Sequence, residues 1–394
     1  MPRNIVICCD GTNNQFGTNN TNVVRLVQVL NRNPQEQITY YDPGVGTFPE
    51  PGFVTRIGKK VSEVMGLAFG AGLTNKIGEA YSFLMDQYET GDQIYLFGFS
   101  RGAYTARALA GVLYQFGLLP AGSYNLVPYL MRLSKAINRL GDRDSAASKK
   151  YWDVTRGFRA TFGRTAPEAA EKVEYVRVHF LGVWDTVSSV GWVWDPTHFP
   201  YTAHNPCVER FRHAVAIDEK RWFFRQNLWS PPTDAAKQDV KEYWFPGVHC
   251  DIGGGYPEDE GGLWRTAFIW MVLEAKRAGL KIDSGKLRQV LHKTRIVPPA
   301  WANPKHESLT GWWCLAEYFP KIPKSKGPGM HWPRLGLFRG RTLRGGELIH
   351  RSALRRMRRF ALGYAPKNLA PEFQATVKSL KKVPETLPYP PQPA

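Results

Sequence analysis

Gln93 to Arg107 reads Q-I-Y-L-F-G-F-S-R-G-A-Y-T-A-R. Ile94 to Phe97 is an apolar run of β-favouring residues, long enough for one strand. Gly98-Phe99-Ser100-Arg101-Gly102 follows and fits G-x-S-x-G. Ala103 to Gln115 is helix-friendly. Strand, sharp turn and helix in that order are the context of a nucleophile elbow. A serine on such a turn is lifted above the sheet edge, and its neighbours two residues away must carry almost no side chain. The helix behind it aims first-turn N–H groups at the reacting centre. A phosphate-binding turn or a plain tight turn is the simpler alternative for the same five residues.

Working outward, further strand-like runs alternate with helical periodicity. Asn4 to Cys9 (N-I-V-I-C-C) reads as a buried strand that ends in the polar loop Asp10-Gly11-Thr12-Asn13-Asn14. Thr21 to Leu30 reads as a helix capped by Asn20 or Thr21. Ile38 to Asp42 is a short strand, and Pro43 to Lys60 is a Gly/Pro-rich loop suited to a lid or rim. Ile77, Tyr81, Leu84, Met85 and Tyr88 recur at helical spacing over 74–88. Val173 to Trp184 and Lys237 to Val248 read as strands, and Gly262 to Ala278 as a strong helix. This alternation predicts an α/β fold, a mostly parallel sheet with helices on both faces; the elbow within it makes the expected type α/β-hydrolase-like. The expected organisation is a catalytic domain over 1–280 and a basic, aromatic-rich region over 281–383 packed on it. A Pro-rich tail is expected over 384–394. Residues 120–172 are polar and helix-favouring, which predicts a helical insertion after the elbow helix, placed as a cap over the site.

A serine hydroxyl becomes a nucleophile only beside a base, and the base needs an orienting acid. In the α/β-hydrolase arrangement the chain order is serine, acid, histidine. Ser100, Asp185 and His249 satisfy it, each at the end of a strand-like run. His249 would move the proton, and Asp185 would hold its tautomer. The chain has nine histidines. His306, His331 and His350 also follow the acid, so order alone leaves them open; His179 sits within a strand, and His198, His204 and His213 fall in loop or helix. The oxyanion hole would take one N–H from Arg101 and one from the early loop, at Gly11 or Thr12. Asp10 and Asp251 read as supports for the site. Asp10-Gly11-Thr12 could instead mark a phosphatase nucleophile or a metal ligand; the metal reading lacks a spaced His/Cys set. The expectation is therefore no metal and no organic cofactor.

Composition bounds the rest. The chain has 394 residues, 43% apolar and 13% aromatic, which is globular. The longest uncharged apolar run, Val64 to Leu73, is about half of a membrane span. No signal-peptide pattern precedes the first strand. Cys8, Cys9, Cys207, Cys250 and Cys314 form an odd, scattered set without C-x-x-C, which fits reduced thiols in a cytoplasmic protein. The net charge is +18, concentrated late: Lys321 to Lys382 holds 16 Lys or Arg against Glu347 and Glu372. Such a face attracts phosphates, on nucleic acid or on anionic lipid. Nucleic-acid-reading motifs are missing from it, so no specific nucleic-acid partner is expected. A solvated surface or a dock for an acidic protein is the plainer reading.

Several segments together resemble a known family. They are I-C-C-D-G-T at 7–12, G-F-S-R-G-A at 98–103, L-G-V-W-D-T-V at 181–187 and F-P-G-V-H-C-D-I-G-G-G-Y at 245–256. Ala216-Ile217-Asp218-Glu219 with Arg221, and Ile349-His350 with Ser352, add to them. The family is the α/β-hydrolases that include the first class of type VI secretion lipase effectors, with uncharacterised bacterial and fungal relatives. The resemblance implies a Ser100–Asp185–His249 triad and, for its effector members, phospholipase A-type ester hydrolysis. It also implies a lipid or other acyl-ester substrate, a secretion or immunity partner, and export that needs no cleavable signal. Other outcomes of the same sequence are a thioesterase, or a binding module of this fold without turnover.

Overall fold

The structure, a computed structural model, describes residues 2–11, 16–44, 72–137, 145–164, 176–187, 199–230, 238–292, 299–310, 314, 317–318, 338 and 340–390. The expected rim loop at 45–60, Thr12, and the tryptophans at 312, 313 and 332 lie outside them.

Strand β1 (Asn4–Cys9) is buried along its whole length, as its unbroken apolar run requires. It is flanked by β2 (Gln37–Asp42) and by β3 (Gln93–Phe99), both parallel. The sheet continues through β4 (Val178–Trp184), β5 (Val208–Ala216), β6 (Asp239–Phe245) and β7 (Leu348–His350), again parallel. A last strand, β8 (Thr386–Pro388), closes the edge antiparallel to β7. The order is β2-β1-β3-β4-β5-β6-β7-β8. After β1 the chain builds outward to β2, then returns to β1's other side with β3. That reversal is a topological switch point, the place where α/β sheets form their crevice. The architecture is α/β-hydrolase-like.

Alternation along the strands separates two apolar layers. Ile5, Ile7, Ile94 and Leu96 face helices α1 (Leu73–Gln87) and α2 (Arg101–Phe116). Val6, Cys8, Phe97, Phe180 and Trp184 face α3 (Asn22–Val29) and α4 (Trp264–Arg277) on the other side. Each large side chain buried this way contributes roughly 1.5–3 kcal/mol. A third cluster joins Val215, Ile217 and Trp244 to α5 (Arg351–Arg358) and α6 (Pro371–Ser379).

Three features differ from the sequence reading. His213 lies in β5, where a loop or helix is expected. The strand's polar residues are paired inside the fold: Arg212 with Glu274 and Asp239, His213 with Glu242. The segment after residue 384 is not a frayed tail at its start. Leu387 pairs with Ile349, and Tyr389 is buried against Phe373. Proline is tolerated in β8 because an edge strand needs fewer N–H donors. The insertion's described helices, α7 (Val127–Ala136) and α8 (Ala146–Phe162), buttress the far end of α2 instead of covering its start. Gln115, near the end of α2, bonds both Ser134 and Tyr151, and Arg164 bonds the Met85 and Tyr88 carbonyls. Ser100 sits at the opposite end of α2.

Candidate active site

Ser100 connects β3 to α2 with φ 58° and ψ −121°, a conformation that side-chain-bearing residues seldom adopt. Two glycines make the turn sterically feasible. A Cβ on Gly98 would stand 2.4 Å from the Gly102 carbonyl oxygen; one on Gly102 would stand 2.2 Å from Cys9 O and 2.3 Å from Asp10 O. The end of β1 is therefore pressed directly against the elbow. The turn is tied to the next strand by Ser100 N–H donating to Trp184 O at 3.1 Å. Arg101 opens α2, whose first-turn N–H groups have no acceptor within a helix.

Asp185 follows β4 and also has positive φ, 39°. Its backbone N–H donates to Ala214 O on β5, and Val187 N–H donates to Ser100 O. The acid and the serine are thus laced to one sheet edge. His249 opens a short helix, His249–Gly253, after β6. Its Nδ1 lies 2.5 Å from Asp185 Oδ2, both groups buried. The imidazole packs against two apolar rings, a tilted Phe99 at 4.6 Å and an edge-on Phe224 at 4.8 Å. Phe99 immediately precedes Ser100, so the end of β3 carries both the elbow serine and the ring under the His249 imidazole. The structure brings Asp185 and His249 into direct contact and places Ser100 on the same edge. A Ser100–His249 hydrogen bond is not among the contacts formed; such bonds commonly tighten only with substrate in place.

Electrostatics follow from burial and from two cations, Arg341 acting on Asp185 and Arg221 on His249. Burial lowers the His249 imidazole below its ordinary value despite the Asp185 carboxylate. Burial alone would raise Asp185, but the Arg341 guanidinium and the His249 hydrogen bond outweigh it and hold the carboxyl far below its usual range. Arg341 Nη1 and Nη2 lie 2.5 and 2.9 Å from the two oxygens of Asp185.

The loop carrying His249 is held from below. Glu219 accepts from His249 N–H at 3.1 Å and pairs with Arg221 at 2.9 Å; burial works to raise it, yet that pairing brings it down to about 2. Asp251 accepts from Val248 N–H and binds His306 Nδ1 at 2.6 Å. Asp10 accepts from Thr21 Oγ1 at 2.7 Å and from Tyr41 at 3.0 Å, which shapes the loop after β1. Gly11 N–H donates to Asp10 Oδ1 at 2.7 Å.

Of the competing histidines, His179, His213, His306 and His350 have other partners, while the Nδ1 of His204 is buried without one among the described residues. His213 receives Thr186 N–H and bonds Glu242, beneath the acid loop. His350 bonds Ser352, lies against Phe245 and is pushed down to about 3 by burial. His179 bonds Glu209. His198 and His331 lie outside the described residues. Among the described residues no group of three or more His, Cys, Asp or Glu could hold a metal ion, and no helix is long and apolar enough to cross a membrane.

Sequence reading missed Arg341. Its surroundings, F-R-G-R-T-L-R-G-G, look like a solvated basic loop, and no spacing links it to residue 185. Glu219 and Arg221 stand out in the sequence only within the segment that resembles the family; their two-residue separation lets the guanidinium bracket the carboxylate.

Comparison with known proteins bears on the whole arrangement. Residues 3–274 match the family model described as "T6SS, Phospholipase effector Tle1-like, catalytic domain". The uncharacterized protein YEL023C of Saccharomyces cerevisiae is 37% identical over 237 residues, 58% of this chain and 33% of the yeast protein. A crystal structure of an uncharacterized protein from Pseudomonas aeruginosa aligns at 19% identity and TM-score 0.40, over 75% of this chain and 48% of that one. The Tle1 effector bound to the VgrG spike of the type 6 secretion system aligns at 21% identity and TM-score 0.35, over 66% and 52%. The chain thus spans about a third of the yeast relative and about half of each solved structure. With the family model matched from β1 through most of α4, the chain belongs to the Tle1-like phospholipase effector catalytic-domain family.

Proposed function

We propose that the protein is a serine ester hydrolase of phospholipase A type, working through Ser100, His249 and Asp185. The observation that carries this reading is the buried Asp185–His249 pair on the sheet edge where Ser100 occupies a strained elbow. Ser100 Oγ attacks the acyl carbonyl carbon while His249 Nε2 takes its proton. The resulting oxyanion meets the N–H of Arg101 and a donor from the Gly11–Thr12 loop. Use of Gly11 requires the oxyanion to share that N–H with Asp10. His249 then returns the proton to the departing alcohol oxygen as the ester C–O bond breaks, leaving an acyl-enzyme. Water, deprotonated by His249, attacks the acyl carbonyl and releases the fatty acid and Ser100. Asp185 keeps the proton on His249 Nδ1 and stabilises the imidazolium at both steps. No cofactor enters the scheme.

The substrate class follows the family, and the basic C-terminal third offers the means of reaching it on an anionic membrane. A secretion partner such as the spike seen with the Tle1 effector belongs to the same proposal. The test is covalent: a fluorophosphonate should label Ser100 in the wild type and fail to label Ser100→Ala or His249→Ala. Absence of labelling, together with steeply salt-dependent binding to an acidic polymer, would instead favour a binding module.

A further inference from the structure

We propose that Arg341, which lies beyond the family-matched residues, is a positioning residue for the reaction: its fork fixes the plane and charge of Asp185, and through Asp185 the imidazole of His249. This rests on the hydrolase reading of the site.

An ionised carboxylate offers about four acceptor directions. In Asp185 all are used. Oδ1 receives Arg341 Nη1 at 2.5 Å and Ala216 N–H at 2.8 Å; Oδ2 receives Arg341 Nη2 at 2.9 Å and faces His249 Nδ1 at 2.5 Å. The carboxylate cannot rotate without breaking several of these bonds at once. Arg341 is equally constrained. Nη1 also donates to Ala216 O at 3.0 Å and Nη2 to Phe224 O at 2.7 Å, while Asn368 bridges Arg341 O and Ile217 O. The side chain is buried. Phe224, which Arg341 holds by its carbonyl, packs on the His249 ring. One guanidinium therefore sets two walls of the base's position.

The charge has a separate consequence. A bare buried carboxylate beside His249 would stabilise the imidazolium and hold the base protonated at neutral pH. Arg341 offsets that charge. The remaining charged and titratable groups around the pair are bound to one another: Glu219 to Arg221, Asp251 to His306, and His213 to Glu242. The Cys250 thiol is pushed up to about 12 by burial and stays neutral. Arg341 is thus the cation in direct contact with the acid.

Arg341→Met and Arg341→Lys separate shape from charge. Two readouts are taken on folded protein: the pH profile of kcat and KM on a short-chain nitrophenyl ester, and the NMR titration of the His249 imidazole. In Arg341→Met the His249 titration should move up by about one pH unit, a tenfold gain in proton affinity, with kcat down about 10–100-fold and KM little changed. Arg341→Lys keeps the charge but lacks the planar fork, so the titration should stay in place while kcat still falls about tenfold. Unmoved titrations and kcat within twofold of wild type in both would overturn the proposal. If Arg341→Met does not fold, Arg341→Lys decides alone: a kcat within twofold of wild type would overturn it. If wild type cleaves no ester, the hydrolase reading fails, while the His249 titration still tests the coupling.

Discussion

The ring of Phe99 lies 4.6 Å from the imidazole of His249, so the residue before Ser100 also forms the apolar bed of that imidazole. That contact explains why Gly253 is glycine. A Cβ there would stand 1.9 Å from the Phe99 ring, and the short helix that carries His249 could not sit down on β3.

The same bed sets a pH dependence. Burial disfavours the imidazolium, so the folded-state value of His249 lies below its ordinary 6.5. In the proposed mechanism His249 accepts a proton and so acts in its neutral form. Activity should therefore be retained as pH falls through 6.5 and decline only below it. The acid limb of kcat/KM on a soluble ester checks this; a limb above 6.5 would contradict it.

Gly102→Ala should disable the elbow. The added methyl meets two backbone oxygens, Cys9 O at the end of β1 and Asp10 O just after it, which cannot swing aside as a flexible side chain could. The expected cost is at least about 2 kcal/mol in stability, with loss of turnover in whatever protein still folds. Gly157→Ala, in the middle of α8 with nothing within 4 Å of the new atom, is the contrasting variant. It should gain roughly 0.5–1 kcal/mol from helix propensity and leave activity alone. Urea unfolding of the two variants provides the comparison.

His306 should contribute stability with the opposite pH sign. The Asp251 hydrogen bond raises it above its ordinary 6.5. A raised folded-state value stabilises fully below the unfolded value and loses that contribution as pH rises through the folded one. His306→Gln should therefore destabilise by about 1 kcal/mol at pH 5.5, after discounting for its partly exposed edge, and by less at pH 9. Equal losses at both pH values would remove the ion pair from the account.

The basic end should act at a lipid surface. Arg351, Arg355, Arg358 and Arg359 are exposed on and just after α5, and Phe360 beside them is 96% exposed. Each arginine near an anionic bilayer is worth about 1 kcal/mol. Replacing the four by Gln and Phe360 by Ser should weaken binding to phosphatidylserine vesicles by at least about 100-fold. Hydrolysis of a soluble ester should stay within about twofold, because these side chains lie outside the contacts of Ser100, Asp185 and His249. Equal loss on both substrates would refute membrane docking by this surface.

Legibility of the site followed the range of the interactions. Gly98, Ser100 and Gly102 act on one another within five residues, so their pattern is complete in the sequence. Asp185 and His249 were readable because apolar strands end just before them and sheet edges gather strand ends. β5 was not readable: Arg210, Arg212 and His213 break its apolar pattern, and two of them are neutralised by Glu274, Asp239 and Glu242, distant in the chain. β7 and β8 have three residues each, too few for periodicity. Arg341 lies 156 residues from Asp185, and one arginine among many carries no local sign of its partner. The insertion misled for a physical reason: an amphipathic helix declares that it packs, not against which end of its neighbour.

The central claim is that Ser100 is the nucleophile of an ester hydrolase. It is tested most directly by wild type and Ser100→Ala assayed side by side on a short-chain nitrophenyl ester and on labelled phospholipid vesicles. The account predicts release from both substrates by the wild type and from neither by the variant. Undiminished release by Ser100→Ala, or none by either protein, would contradict it.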